Sequence, residues 1–194
     1  MPSRQHSHLF KYHPVEHLVS LFRFNKVSRY IKEKVVLLDV GCGYNGNLLN
    51  CFSERIKQGF GIDLLVNQSC NNGKIKLISC DLNHDSFPAL PKFDVVTCLS
   101  VLEHVYRPEN ILKNIYNSLK DSGLLLLIVP SWKSKPVVEF AAFKLKIISR
   151  EEIMDHKRYF DKEEIEDLVR KIGFKEIAHK HFQWRMNNLI VARK

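Results

Sequence analysis

Four carboxylates stand where apolar runs end: Asp39 after VVLL, Asp63 after GFGI, Asp81 in SCDL and Glu103 in SVLEHV. Gly41, Gly43 and Gly46 follow the first of them and spell G-x-G-x-x-G. Glycines at that spacing let a backbone turn tightly and approach a ligand, but they do not name the ligand. The carboxylates narrow it. Asp39 would repel a phosphate on the loop, yet it can accept hydrogen bonds from an ammonium group or an ordered water. A rim of acids suits a cationic, nucleoside-bearing ligand better than a dianionic bridge. Asp63 follows Gly41 by 22 residues (63 − 41), near the ~20 expected of an acid that binds a ribose. Two histidines stand where a proton could be moved: His104, next to Glu103, and His156 in DHKRYF. For a hydroxyl substrate, histidine is the usual base near neutral pH. Either can equally be a structural histidine bonded to a backbone carbonyl.

These residues need elements to hold them. Val35–Val40 is a continuous apolar run, as a strand buried on both faces should be. Further strands are predicted at Gly59–Asp63, Lys74–Leu82, Phe93–Val101 and Leu124–Pro130. A helix is expected over Leu48–Gln58. Another starts at Pro108, shows Ile111, Leu112, Ile115 and Leu119 on one face, and stops at Gly123. Asp161 and Glu164 form a capping-box signature for a third helix, with Ile165, Leu168, Val169 and Ile172 apolar and Gly173 at its end. KEIAHKHFQW and NNLIVARK close the chain as an antiparallel pair. Residues 15–34 read as a leading helix. The fold class is α/β: a doubly wound, mostly parallel seven-stranded sheet with a C-terminal antiparallel hairpin. The expectation is one domain over 1–194, with 1–34 an N-terminal helical segment and 131–159 an insertion that covers the acceptor as a lid.

In this order, the motifs resemble a class I S-adenosylmethionine-dependent methyltransferase, whose sheet is Rossmann-like. LLDVGCGYNG is similar to the first motif, which holds the methionine part of the cofactor. Asp63 in GIDLL takes the place of the acid that binds both ribose hydroxyls, and Asp81 in CDL that of the aspartate at the adenine amino group. FDVVTCLSVLEHVYRP, then a helix and GLLLLIVP, resembles the fourth and later motifs, including the E-H-x-x-x-P signature of many small-molecule enzymes. The resemblance implies S-adenosyl-L-methionine as cofactor, held by Asp39, Gly41, Cys42, Gly43, Asp63, Leu64, Asp81, Leu82, Leu99 and Ser100. It implies His104 and His156 as the catalytic histidines. Each residue also has a plainer role: Asp63 as a turn cap, Asp81 as a turn aspartate in DLNHDSFP, Cys42 as a small residue whose backbone makes the contact. Some quinone O-methyltransferases bind a divalent ion through E-x-x-E-H. Here Ser100 replaces the first acid, so no metal is assigned.

The formal net charge of +9 is uneven. Residues 1–34 carry seven Lys/Arg against two Asp/Glu, residues 35–130 eight against nine, and residues 131–194 fifteen against ten. Both ends are therefore basic and the middle is neutral, which steers anionic partners or leaves a solvated basic surface. The segment 131–159 is apolar at its centre with lysines around it. That allows a lid, a dimer surface or a peripheral membrane contact. An anionic small-molecule acceptor is expected and nucleic acid is not, because no N-P-P-Y motif follows the fourth strand. The five cysteines form no C-x-x-C, and neither a signal peptide nor a transmembrane run is seen, so a cytoplasmic location is expected. The reading is methyl transfer to a small-molecule or glycan/lipid-type acceptor, at oxygen. A non-catalytic partner subunit of the same fold is the alternative, and an NAD-dependent oxidoreductase comes third.

Overall fold

A computed structural model describes residues 14–140 and 157–194. Its frame is one seven-stranded sheet: β1 (Val35–Val40), β2 (Ile56–Asp63), β3 (Ile75–Ser79), β4 (Phe93–Leu99), β5 (Leu119–Pro130), β6 (Lys175–Phe182) and β7 (Asn187–Arg193). The spatial order is β3-β2-β1-β4-β5-β7-β6. The first five strands run parallel, and β7 pairs antiparallel with both β5 and β6. The helices are α1 (Pro14–Ser28), α2 (Asn47–Cys51), α3 (Pro108–Ser118), α4 (Lys135–Phe140) and α5 (Lys162–Ile172).

Alternate residues of each strand feed opposite faces, which is why the central strands read as unbroken apolar runs. Leu38, Val96 and Leu127 pack with Ile111, Leu112 and Ile115 of α3 and with Ile165 and Val169 of α5. Leu37, Val95 and Leu126 pack with Val27 of α1 and with Leu48 and Leu49 of α2. Each such side chain contributes ~1.5–3 kcal/mol by leaving water.

Several boundaries differ from the sequence reading. The helix expected over 48–58 ends at Cys51. Ile56 pairs with Val35 in the sheet, so ladder formation overrides the helical pattern, and β2 starts before Gly59. α3 ends at Ser118, ahead of Gly123, because Leu119 already pairs with Phe93. The leading helix stops at Ser28. Asp161 caps α5 by position, but its side chain makes no capping hydrogen bond; Gly173, at φ 115°, does end that helix.

The antiparallel β7 brings the β6–β7 turn back to the carboxyl ends of the parallel strands. There Ser131 N–H donates to Met186 O at 2.9 Å, and Ser131 Oγ donates to Arg185 O at 2.6 Å. Trp184, on that turn, is 91% exposed. Past β5 the chain forms a short 3₁₀ turn (Trp132–Ser134) and α4. His156 and most of the expected lid lie outside the described residues. Among the described residues no helix is long and apolar enough to cross a membrane.

Candidate cofactor and acceptor site

β2 flanks β1 on one side and β4 on the other, so the strand order reverses at β1, and such a switch point opens a crevice beyond the strands' carboxyl ends. The glycine loop fills that position. Gly41 N–H donates to Ile62 O at 2.8 Å, folding the loop over the end of β2. Gly41 has φ +76°, and a Cβ there would lie 2.2 Å from Val101 Cγ2. Only glycine fits this turn without displacing Val101. Gly43 also has positive φ, and its N–H donates to Asp63 Oδ2 at 2.9 Å. The acid and the loop, 20 residues apart in sequence, are thereby locked together.

Asp39 lies beneath the loop, only 4% exposed. Thr97 Oγ1 donates to its Oδ1 at 2.7 Å. Burial pushes its pKa up to about 7, against the lowering effect of that bond and with help from the Asp63 charge. Its place is thus a buried support of the loop. The Cys42 thiol is buried and donates to Gly43 O at 3.4 Å; burial, then Asp39, pushes its pKa far up, so it carries no thiolate chemistry.

Asp81 starts a tight turn. Its Oδ1 accepts Asn83 N–H at 2.9 Å, and its Oδ2 lies 2.9 Å from His84 Nδ1. These bonds, the His84 contact first, hold it below the usual carboxylate range. Leu64, Leu82, Leu99 and Ser100 line the strand ends half-buried.

The loop after β4 carries Glu103 and His104 on one 3₁₀ turn. His104 is half-buried, and its carbonyl accepts Lys157 Nζ at 2.5 Å. Lys157 N–H donates to Glu103 O at 2.7 Å, and its ammonium sits 4.5 Å from the Tyr106 ring centroid. Tyr106 N–H in turn donates to Asn83 Oδ1 at 2.9 Å, tying this loop to the Asp81 turn.

Sequence reasoning named Glu103 as a rim acid and as the first residue of the E-H-x-x-x-P signature, but missed what surrounds it. The side chain is 1% exposed, and its Oε2 has no hydrogen-bond partner. Burial raises its pKa to about 7, opposed first by its own backbone N–H, then by the Arg23 charge from α1 and by the Ser100 hydroxyl. Among the described residues no group of three or more His, Cys, Asp or Glu is arranged to hold a metal ion.

A family model described as a methyltransferase domain matches residues 13–179. The chain belongs to that family. The ubiquinone biosynthesis O-methyltransferase of Idiomarina loihiensis is 29% identical over 161 residues, covering 73% of this chain and 62% of that protein. The Haemophilus ducreyi protein of the same name is 33% identical over 128 residues, covering 57% and 52%. The chain thus spans about half to three-fifths of the curated relatives it matches. An S-adenosylmethionine-dependent methyltransferase structure from Archaeoglobus fulgidus superposes with TM-score 0.64 at 18% identity, covering 90% of this chain and 94% of that one. A methyltransferase-like protein from Bacillus halodurans gives 0.64 at 19%, covering 88% and 98%. These two share the fold: a class I methyltransferase sheet.

Membership of this methyltransferase family implies S-adenosylmethionine, and the residues present fit it. The loop around Gly41 is a cradle that a Cβ would fill, and Asp63 is held at its edge by Gly43.

Proposed function

We propose that the protein transfers a methyl group from S-adenosylmethionine to an oxygen of a small-molecule acceptor. The observation that carries this is the bond from Gly43 N–H to Asp63 Oδ2, which fuses the glycine loop to a ribose-facing acid at the switch point. The names of the matching relatives, O-methyltransferases of ubiquinone biosynthesis, support oxygen as the acceptor atom.

When bound, the cofactor supplies an electrophilic methyl carbon. The chain's own work is to hold, align and keep water away. Gly41 and Gly43 bring backbone close to the methionine part, with Cys42 contributing its main chain. Asp63 accepts from the ribose hydroxyls, and Leu64, Leu82 and Leu99 flank the adenosine. Asp81 faces the adenine amino group from a turn that His84 and Asn83 keep rigid. Asp39 supports the loop from below. The acceptor lies toward His104, Ser100 and the 131–159 segment, which acts as its lid. His156, outside the described residues, belongs to the same acceptor side. Lys133 and Lys135, beside the exposed Trp132, favour an anionic acceptor. All of this forms one domain working in the cytoplasm.

Calorimetric titration with S-adenosylhomocysteine and, separately, NADH tests the reading. Micromolar binding of the former alone is expected. In Asp63→Ala the affinity should fall at least tenfold, since a lost charged contact is worth over ~1.4 kcal/mol. Binding of NADH, or of neither ligand by folded protein, defeats the proposal.

A further inference from the structure

We propose that Asn67 is a positioning residue for the cofactor: it clasps the outer half of the glycine loop to the chain after β2, so that the loop is shaped before the ligand arrives. This rests on the methyltransferase reading above.

The inner half of the loop is tied to β2. Gly41 and Cys42 N–H both donate to Ile62 O, at 2.8 and 3.2 Å, and Gly43 N–H donates to Asp63 Oδ2. Beyond Gly43 the chain turns outward: Tyr44 is 43% exposed, and Gly46 sits at φ 61°. A stretch bounded by two left-handed glycines has wide backbone freedom unless something outside it holds it. Asn67 holds it twice. Its N–H donates to Tyr44 O at 2.7 Å, and its side-chain Nδ2 donates to Asn45 Oδ1 at 3.3 Å. The Cys70 thiol reaches the same Asn45 Oδ1 at 3.8 Å, and Asn50 Nδ2, on α2, donates to Asn45 O at 2.8 Å.

The clasp is itself fixed. Asn67 Oδ1 accepts from Ser69 N–H at 3.1 Å and from the Ser69 hydroxyl at 2.6 Å, capping the 3₁₀ turn Gln68–Cys70. That commitment orients the amide and leaves Nδ2 for Asn45. The same segment is fastened to the sheet by Asn71, whose Oδ1 accepts Leu77 N–H at 2.6 Å, as a neighbouring strand would on the open edge of β3. Leu77 in turn lies under the loop, since a Cβ on Gly46 would stand 2.7 Å from its Cδ2.

Asp63 and Asn67 stand four residues apart (67 − 63) on one segment, and each holds the glycine loop. Two ties fix the loop and the ribose-facing acid relative to each other, where one tie would leave a hinge. The ligand then meets a formed cradle, and binding carries little of the entropy cost of ordering it.

The test is calorimetric titration with S-adenosylhomocysteine. Asn67→Ser keeps a capping oxygen for Ser69 N–H but is too short to reach Asn45. Its affinity is expected to fall about three- to tenfold, the equivalent of one net hydrogen bond, with the loss in the binding entropy. The ligand-free melting temperature should stay within about 3 °C of wild type. Asn45→Ala removes the same bond from the other side and should lose as much; it carries the test if Asn67→Ser does not fold. The double variant should be no weaker than the weaker single one, because both remove one contact. Unchanged affinity in Asn67→Ser, or in its place Asn45→Ala, overturns the proposal. So do losses that multiply in the double variant, or a loss matched by a large drop in ligand-free melting. Failure of wild type to bind S-adenosylhomocysteine defeats the methyltransferase reading itself, and this inference with it.

Discussion

The two sides of the switch point are built differently. On the β1–β2 side, everything important is bonded to something close by: Gly41 to Ile62, Gly43 to Asp63, Asp39 to Thr97. On the β4–β5 side, Glu103 Oε2 is buried without a hydrogen-bond partner, and the charge that reaches the carboxyl is that of Arg23 on α1. A cofactor used every turnover suits a finished cradle. A wall with an unmet buried bond is left for a ligand to complete. Rigidity and incompleteness thus divide along β1.

Substitutions can break that contrast. The largest effect is expected on the finished side. Gly41→Ala drives a Cβ to 2.2 Å from Val101 Cγ2 at φ +76°. S-adenosylhomocysteine affinity should drop more than tenfold, and melting should fall by several degrees, both visible in calorimetry.

Next comes a pH effect. Asp39 titrates at about 7 in the folded protein against an ordinary 3.8, so the folded state holds a proton that the unfolded chain has released. Its contribution is full below about 4 and is lost as pH rises through about 7. Glu103 acts in the same direction, from 4.5 to about 7. Melting temperature should therefore decline across this window, other groups being equal. Asp39→Asn should flatten the decline by several degrees, and a slope identical to wild type would contradict the buried placement of Asp39.

The smallest effect is at the Asp81 turn. The His84–Asp81 contact is on the surface, with His84 76% exposed, and such pairs are worth ~0–1 kcal/mol. His84→Ala should weaken S-adenosylhomocysteine binding less than about fivefold, since the Asn83 N–H bond still holds the carboxylate. A larger loss would mean that the Asp81 turn matters to cofactor binding as much as the glycine loop does.

The same division explains what could be read from sequence. β1 is legible residue for residue, because a strand buried on both faces leaves an unbroken apolar run. The glycine loop and Asp63 are legible because their spacing is local. The helix over 48–58 is misread because Ile56 fits a helical face as well as a strand, and only its pairing with Val35 decides. The Arg23 charge at Glu103 is invisible for another reason: the two are 80 residues apart (103 − 23), and helical periodicity does not show which distant loop an arginine will meet. Nor does the motif E-H-x-x-x-P tell which of its first two residues is buried without a partner.

The return of β7 along β5 has an optical consequence. The chain contains two tryptophans. Trp132 follows the end of β5, and Trp184 sits on the β6–β7 turn that Ser131 holds to the same edge. All indole emission therefore comes from the carboxyl rim of the sheet, with Trp184 almost wholly in water. A fluorescence trace of this protein is a local signal from the carboxyl rim and stays dark to the opposite end of the sheet.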